Sequence, residues 1–266
     1  MSLFSIPKVM LKDMRLSIKQ NSLYIALLFI SLIYSGELIS HRLDLSIPDL
    51  YSVMFQGLLF IIIVIPIFLL FLSTILPPSF DSLRVTRYRS REKLAIRMMM
   101  TIFLAVCIYL SIYMLAGVLY GYYISGTFEN RWITESGFPN LFFDGEINLA
   151  LFQTNQIILK YVLTETLAFM IIGLLTACIF ILTGRFIVTF FLIEGFLLFE
   201  YFLHNFLNVS LFIGRAQIYL DAWVEMSLGS VALYFIGIII VLTVVLYIII
   251  DKKDFIERSE DPHGVH

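Results

Sequence analysis

The stretch Arg84-Val-Thr-Arg-Tyr-Arg-Ser-Arg-Glu-Lys93 packs four arginines and a lysine into one short run, and it lies between two long apolar segments, 51–76 and 94–125. So dense a cluster of cations stays on the cytoplasmic side of a membrane when its flanks are spans. The fold therefore turns on what those flanks are. Of the 266 residues, 60% are hydrophobic and only 14% charged, and mean hydropathy is +0.93. A soluble domain of this length needs far more polar surface. The apolar runs are continuous instead of alternating, which points to helices and away from a β-barrel.

Working outward, a spanning helix takes about 20 mainly apolar residues to cross roughly 30 Å of hydrocarbon. Six stretches qualify, at about 22–39, 51–76, 94–125, 157–183, 186–207 and 228–250. The first is the shortest and turns polar in its second half. The third is long enough to project beyond the bilayer as a stalk. Pro66 is expected to bend the second, the lost backbone bond being satisfied locally.

Lys and Arg then orient the spans. With the N-terminus inside, the inner face holds Lys8, Lys12, Arg15 and Lys19, then Arg84, Arg87, Arg89, Arg91, Lys93 and Arg97, then Arg185, and finally Lys252, Lys253 and Arg258. That is fourteen of the 18 basic residues; Arg42, Arg131, Lys160 and Arg215 remain outside. The expectation is an all-α polytopic membrane protein of six transmembrane helices over 21–250, N-in/C-in, with a cytoplasmic tail at 251–266.

The four N-terminal cations Lys8, Lys12, Arg15 and Lys19 are spaced four, three and four apart, so on a helix they form one stripe. Leu3, Met10, Leu11, Met14 and Ile18 fall on another arc, and Pro7 suits a first turn. Residues 1–20 thus read as an amphipathic helix lying in the cytoplasmic interface, its cations on lipid phosphates. Ordinary charge flanking a first span is the alternative. No small-residue cleavage site precedes the first apolar run, so a cleavable signal is not expected.

Outside, the loop at 126–156 mixes Phe128, Trp132, Phe138, Phe142 and Phe143 with Glu129, Glu135, Asp144 and Glu146. These aromatics read as an interfacial belt or as part of an exit gate. The stretch 208–227 mixes apolar and polar residues and is a candidate for short re-entrant helices. Gly117-Val-Leu-Tyr-Gly121 permits close helix approach and reads as packing.

Absences narrow the function. There is no G-x-x-x-x-G-K-[ST] phosphate loop, no H-E-x-x-H, no G-x-S-x-G and no Cys/His cluster. Cys107 and Cys178 both fall within apolar runs. No catalytic residues, metal or cofactor are expected in this chain, and no nucleic-acid partner.

The loop after the second span has the makings of a docking device. Pro77 and Pro78 stop the preceding helix, Ser79 or Asp81 can cap a new one, and Phe80, Leu83 and Tyr88 supply an apolar contact surface. Arg84, Arg87 and Arg89 form its basic rim. A plain connector, basic only because of topology, is the competing reading.

A basic amphipathic N-terminal helix, six spans, and Arg-Tyr-Arg-Ser-Arg-Glu-Lys between spans two and three resemble the ABC-2-type permeases of bacterial exporters. The resemblance covers nearly the whole chain in architecture. It implies a type V exporter-like fold in the bacterial cytoplasmic membrane. It implies a coupling helix at 79–90, with Phe80, Asp81, Leu83, Arg84, Arg87, Tyr88 and Arg89 in the cleft of a separate P-loop ATPase that binds the ATP and Mg. It further implies an interface helix at 8–19, re-entrant helices between spans five and six, and pairing with a second permease copy or paralogue. The cargo would be amphipathic, a lipid or a peptide such as an antimicrobial peptide.

Three carboxylates sit inside apolar runs: Glu165 in span four, and Glu194 and Glu200 in span five. A charge at mid-helix costs about 2.5–3.5 kcal/mol on insertion scales, so such groups face an interior or a watery cavity. They line a cavity for cationic or amphipathic cargo, or they are helix-packing glue or neutral protonated acids near the outer mouth. Glu194 stands out as the deepest. Glu200 and His204 are one turn apart and can pair. Two rival functions follow from the same residues: a secondary transporter or channel that relays ions through the three carboxylates, and an intramembrane enzyme. The second is disfavoured because Glu194 and Glu200 do not share a helix face.

Overall fold

The computed structural model describes residues 22–39, 46–79, 90–207, 209, 211–216 and 227–252. Among them there are helices and no strand. We label the principal helices α1 (Ser22–Ile39), α2 (Ile47–Met54), α3 (Gly57–Ser73), α4 (Arg91–Ser125), α5 (Thr154–Thr183), α6 (Phe186–Leu207) and α7 (Leu228–Lys252). Helices follow from the setting, since in hydrocarbon each backbone N–H and C=O must be satisfied within its own segment. Four of them, α4 to α7, are long and apolar enough to cross a membrane, and the bent pair α2–α3 makes up to a fifth. The chain is a helical multi-pass membrane protein.

Helix α4 has 35 residues, about 50 Å at 1.5 Å per residue, which is longer than the roughly 30 Å of hydrocarbon a span must cross. It starts three residues earlier than the apolar run because Ser90 caps it, its hydroxyl accepting the Lys93 N–H at 3.4 Å. Between α5 and α6 the chain turns on Gly184, whose φ of 70° favours glycine, while its N–H returns to the Phe180 carbonyl at 2.8 Å. So short a turn makes α5 and α6 antiparallel neighbours.

The second apolar run behaves differently from expectation. Its bend, 67°, lies between α2 and α3, not at Pro66. There Gly57 takes a φ of 61°, a conformation that breaks helical continuity. Pro66 is absorbed without a break. The turn just before it, Phe60–Val64, widens to π geometry, with the Ile65 N–H bonding the Phe60 carbonyl. Helix α3 ends at Ser73, ahead of Pro77 and Pro78, where the Ser73 and Thr74 hydroxyls donate back to the Leu70 and Phe71 carbonyls at 2.6 and 2.8 Å.

Helix α5 is the axis of the bundle. Of its most apolar 18-residue window 67% is buried within the chain, against 28% for α6 and 17% for α7. The outer faces of α6 and α7 are therefore the ones left to lipid or to another protein. Glycines set the closest approaches. A Cβ on Gly117 would meet the Tyr51 ring at 2.8 Å, one on Gly121 would meet Ile47 at 3.1 Å, and one on Gly173 would meet Ile102 at 2.5 Å. The Gly117/Gly121 pair thus seats α2 on α4 within the chain. At one end of the bundle Arg91, opening α4, lies 3.8 Å from Asp251 at the end of α7. Both side chains are exposed and the pair contributes little energy, but it places these two helix ends on the same side.

Candidate functional site: buried carboxylates of the bundle

Glu165 occupies the most enclosed position of the three membrane carboxylates. Its relative exposure is 0%, against 3% for Glu200 and 9% for Glu194. Enclosure thus singles out Glu165 rather than Glu194. It lies on the axial helix α5, on the face that α5 turns toward α3 and α4. Those helices bring aromatic rings to it. Tyr51 and Tyr161 pack tilted at 5.7 Å between ring centroids and Tyr109 and Phe169 at 5.4 Å, while Phe55 and Tyr113 meet edge-on at 5.6 Å and Phe68 and Phe169 at 4.9 Å. Edge and offset geometries of this kind hold a rigid core.

Three tyrosines of this cluster turn their hydroxyls to named partners. Tyr51 donates to the Met114 carbonyl at 2.6 Å, and Tyr109 donates to the Val64 carbonyl, at the end of the π turn, at 2.7 Å. Tyr113 shares a hydrogen with Ser31 of α1 at 3.4 Å. Glu165 is near enough to Tyr109, Tyr113 and Tyr161 to act on all three electrostatically. Yet neither of its own oxygens has a hydrogen-bond partner among the described residues. A polar group buried in this way costs free energy, and one that persists calls for a role.

Glu194 is buried on α6, and one of its oxygens also lacks a hydrogen-bond partner among the described residues. Glu200, one helix end further on, is structural. One of its oxygens accepts the backbone N–H of Phe212 and, at 3.0 Å, that of Ile213. It thereby folds the 211–216 segment back against α6, and Phe212, Ile213 and Ala216 become buried. Among the described residues no three of His, Cys, Asp and Glu come together as a set able to hold a metal ion.

Sequence reasoning passed over Asp49. It is 2% exposed at the start of α2 and accepts from the Ser46 N–H at 3.0 Å, the Ser46 hydroxyl at 2.9 Å and the Trp132 indole N–H at 3.1 Å. Ser46 and Asp49 form a capping box, which the Ser-x-x-Asp spacing does signal. The indole comes from 83 residues away, and no local pattern announces it. Trp132 is accordingly buried, edge-on to Phe152 at 5.8 Å, and not part of an interfacial belt. Asn130 closes the loop by donating to the Phe152 carbonyl at 2.7 Å. Phe128 and Phe142 do remain exposed. The expected coupling residues Phe80, Asp81, Leu83, Arg84, Arg87, Tyr88 and Arg89, and the interface residues Lys8, Lys12, Arg15 and Lys19, lie outside the described residues.

Compared with models of protein families, with curated proteins and with solved structures, the chain matches none.

Proposed function

We propose that this chain is the membrane-spanning permease subunit of an ATP-driven exporter of the ATP-binding cassette class. In this reading α1, the bent α2–α3 pair and α4 to α7 make six spans, N-in/C-in, in a bacterial cytoplasmic membrane. Residues 1–20 lie along the inner leaflet, and the 208–227 segment is re-entrant near the exit. Two permease chains, identical or paralogous, bracket a path for an amphipathic lipid or peptide. A separate P-loop ATPase docks on 79–90 and supplies the ATP and Mg chemistry. The work of closing the ATPases passes through that segment into α3 and α4, the two helices that face Glu165.

What carries the proposal is the pattern of charge in the sequence, which puts fourteen of 18 Lys and Arg on one side of a six-span, N-in arrangement, with the densest cluster between two apolar runs. The Arg91–Asp251 approach supports it, because four crossings from α4 to α7 then return the chain to the face where it started. The test is Arg87→Glu with Arg89→Glu. The double variant is expected to lose ATPase co-purification and coupled ATP hydrolysis; unchanged values for both would overturn docking at this loop.

One observation favours a second reading. Glu165, buried among tyrosines with no hydrogen-bond partner among the described residues, is what an ion- or proton-coupled transporter would need at mid-membrane. Substrate uptake by the purified chain in vesicles without ATP, abolished by Glu165→Gln, would favour it.

A further inference from the structure

Between α5, α6, α7 and the folded-back 211–216 segment lies a cavity of about 190 Å³. Its walls are hydrocarbon throughout. Ile172 and Leu175 come from α5, Ile193 and Leu197 from α6, Leu242 from α7, and Phe212 closes one end. An apolar cavity of roughly 150 Å³ in a protein stays dry and takes a hydrocarbon guest. This one sits within membrane-spanning helices, and its lip reaches lipid. Phe196 and Leu211, both lining it, are exposed on the surface of the chain.

A cation stands at the end where Leu211 and Phe212 close the cavity. The Arg215 N–H bonds the Phe212 carbonyl at 3.0 Å, and its guanidinium lies 4.1 Å from the centre of the Tyr234 ring. Tyr234 in turn donates its hydroxyl to the Leu211 carbonyl at 2.6 Å. Tyr234, Ile238 and Leu242 follow one another at four-residue spacing on α7, so the ring under Arg215 continues the cavity wall. Glu200, the carboxylate bonded to this segment, is turned to the Phe212 and Ile213 amides, which offset its charge. Tyr234 thus holds a guanidinium, the side chain best suited to a phosphate, above a slot sized for part of an acyl chain.

We propose that this is a site for one anionic phospholipid of the bilayer, an acyl chain in the cavity and the phosphate on Arg215. The site rests on α5, α6, α7 and the 211–216 segment, and stands whether or not an ATPase docks.

The test uses the full chain in mild detergent, titrated with phosphatidylglycerol or phosphatidylcholine of matched chains and read by native mass spectrometry. Wild type is expected to retain one lipid per chain and to prefer phosphatidylglycerol several-fold. Arg215→Ala should bring the preference within about twofold while retention persists. Leu175→Trp and Leu242→Phe, which fill the cavity from two sides, should each cut retention of both lipids. Glycerol phosphate without acyl chains should not bind. No retained lipid in wild type overturns the proposal. So does an unchanged preference in Arg215→Ala, or unchanged retention in whichever cavity variant keeps the wild-type melting temperature.

Discussion

Replacing Glu165 by methionine should make this protein more stable. The side chain is fully buried, and neither oxygen has a hydrogen-bond partner among the described residues. A carboxylate at mid-helix costs about 2.5–3.5 kcal/mol on insertion scales, and an unsatisfied buried polar group costs about 1–3 kcal/mol in mutational series. Methionine is similar in length, flexible, and adapts to the ring faces of Tyr109, Tyr113 and Phe169. Removing the carboxyl group while keeping the volume should therefore recover about 2 kcal/mol, read as a rise of several degrees in melting temperature of the purified protein in detergent. Glu165→Gln retains a polar group and should recover less. Transport should fall in both, since a group kept at such a cost is kept for function. Had Glu165 been packing glue bonded to a neighbouring helix, its loss would leave an orphaned partner and destabilise the protein. A drop of more than about 1 kcal/mol in Glu165→Met refutes the reasoning.

Other expectations follow from the same geometry. Trp132→Phe removes the indole donor to Asp49 and should cost about 1–3 kcal/mol; a double-mutant cycle with Asp49→Ala should be non-additive, and additivity within about 0.3 kcal/mol would disprove the link. Glu200→Ala strips the acceptor from the Phe212 and Ile213 amides, so hydrogen exchange should accelerate at 211–216 and not in α5. Gly121→Leu should separate α2 from α4 and destabilise by roughly 1–3 kcal/mol, measurable as early thermal unfolding, whereas Gly195→Ala, with nothing within 4 Å of the new Cβ, should be neutral.

The helices were largely legible in the sequence, and their irregularities were not. Helix α6 starts where its apolar run starts, two residues after the Gly184 turn. The break between α2 and α3 escaped notice, since Pro66 was the obvious breaker and Gly57, an unremarkable glycine in an apolar run, is the residue that takes the positive φ. A π turn before a proline leaves no compositional trace. Among the carboxylates, burial of all three was readable from their apolar neighbours, but their separate roles were not. Glu200 acts on a backbone 12 and 13 residues further on, and Glu165 faces Tyr109 and Tyr113 of α4, far from it in sequence. Asp49 was half visible through its capping box; its indole partner is a matter of tertiary structure alone.

The most direct measurement is to tag this chain, purify it from its native host in mild detergent and identify what accompanies it. The account predicts a stoichiometric P-loop ATPase, lost in the Arg87→Glu, Arg89→Glu double variant. A lone, monodisperse protein that still transports would contradict it, and would turn the function over to Glu165 and the ion-coupled reading.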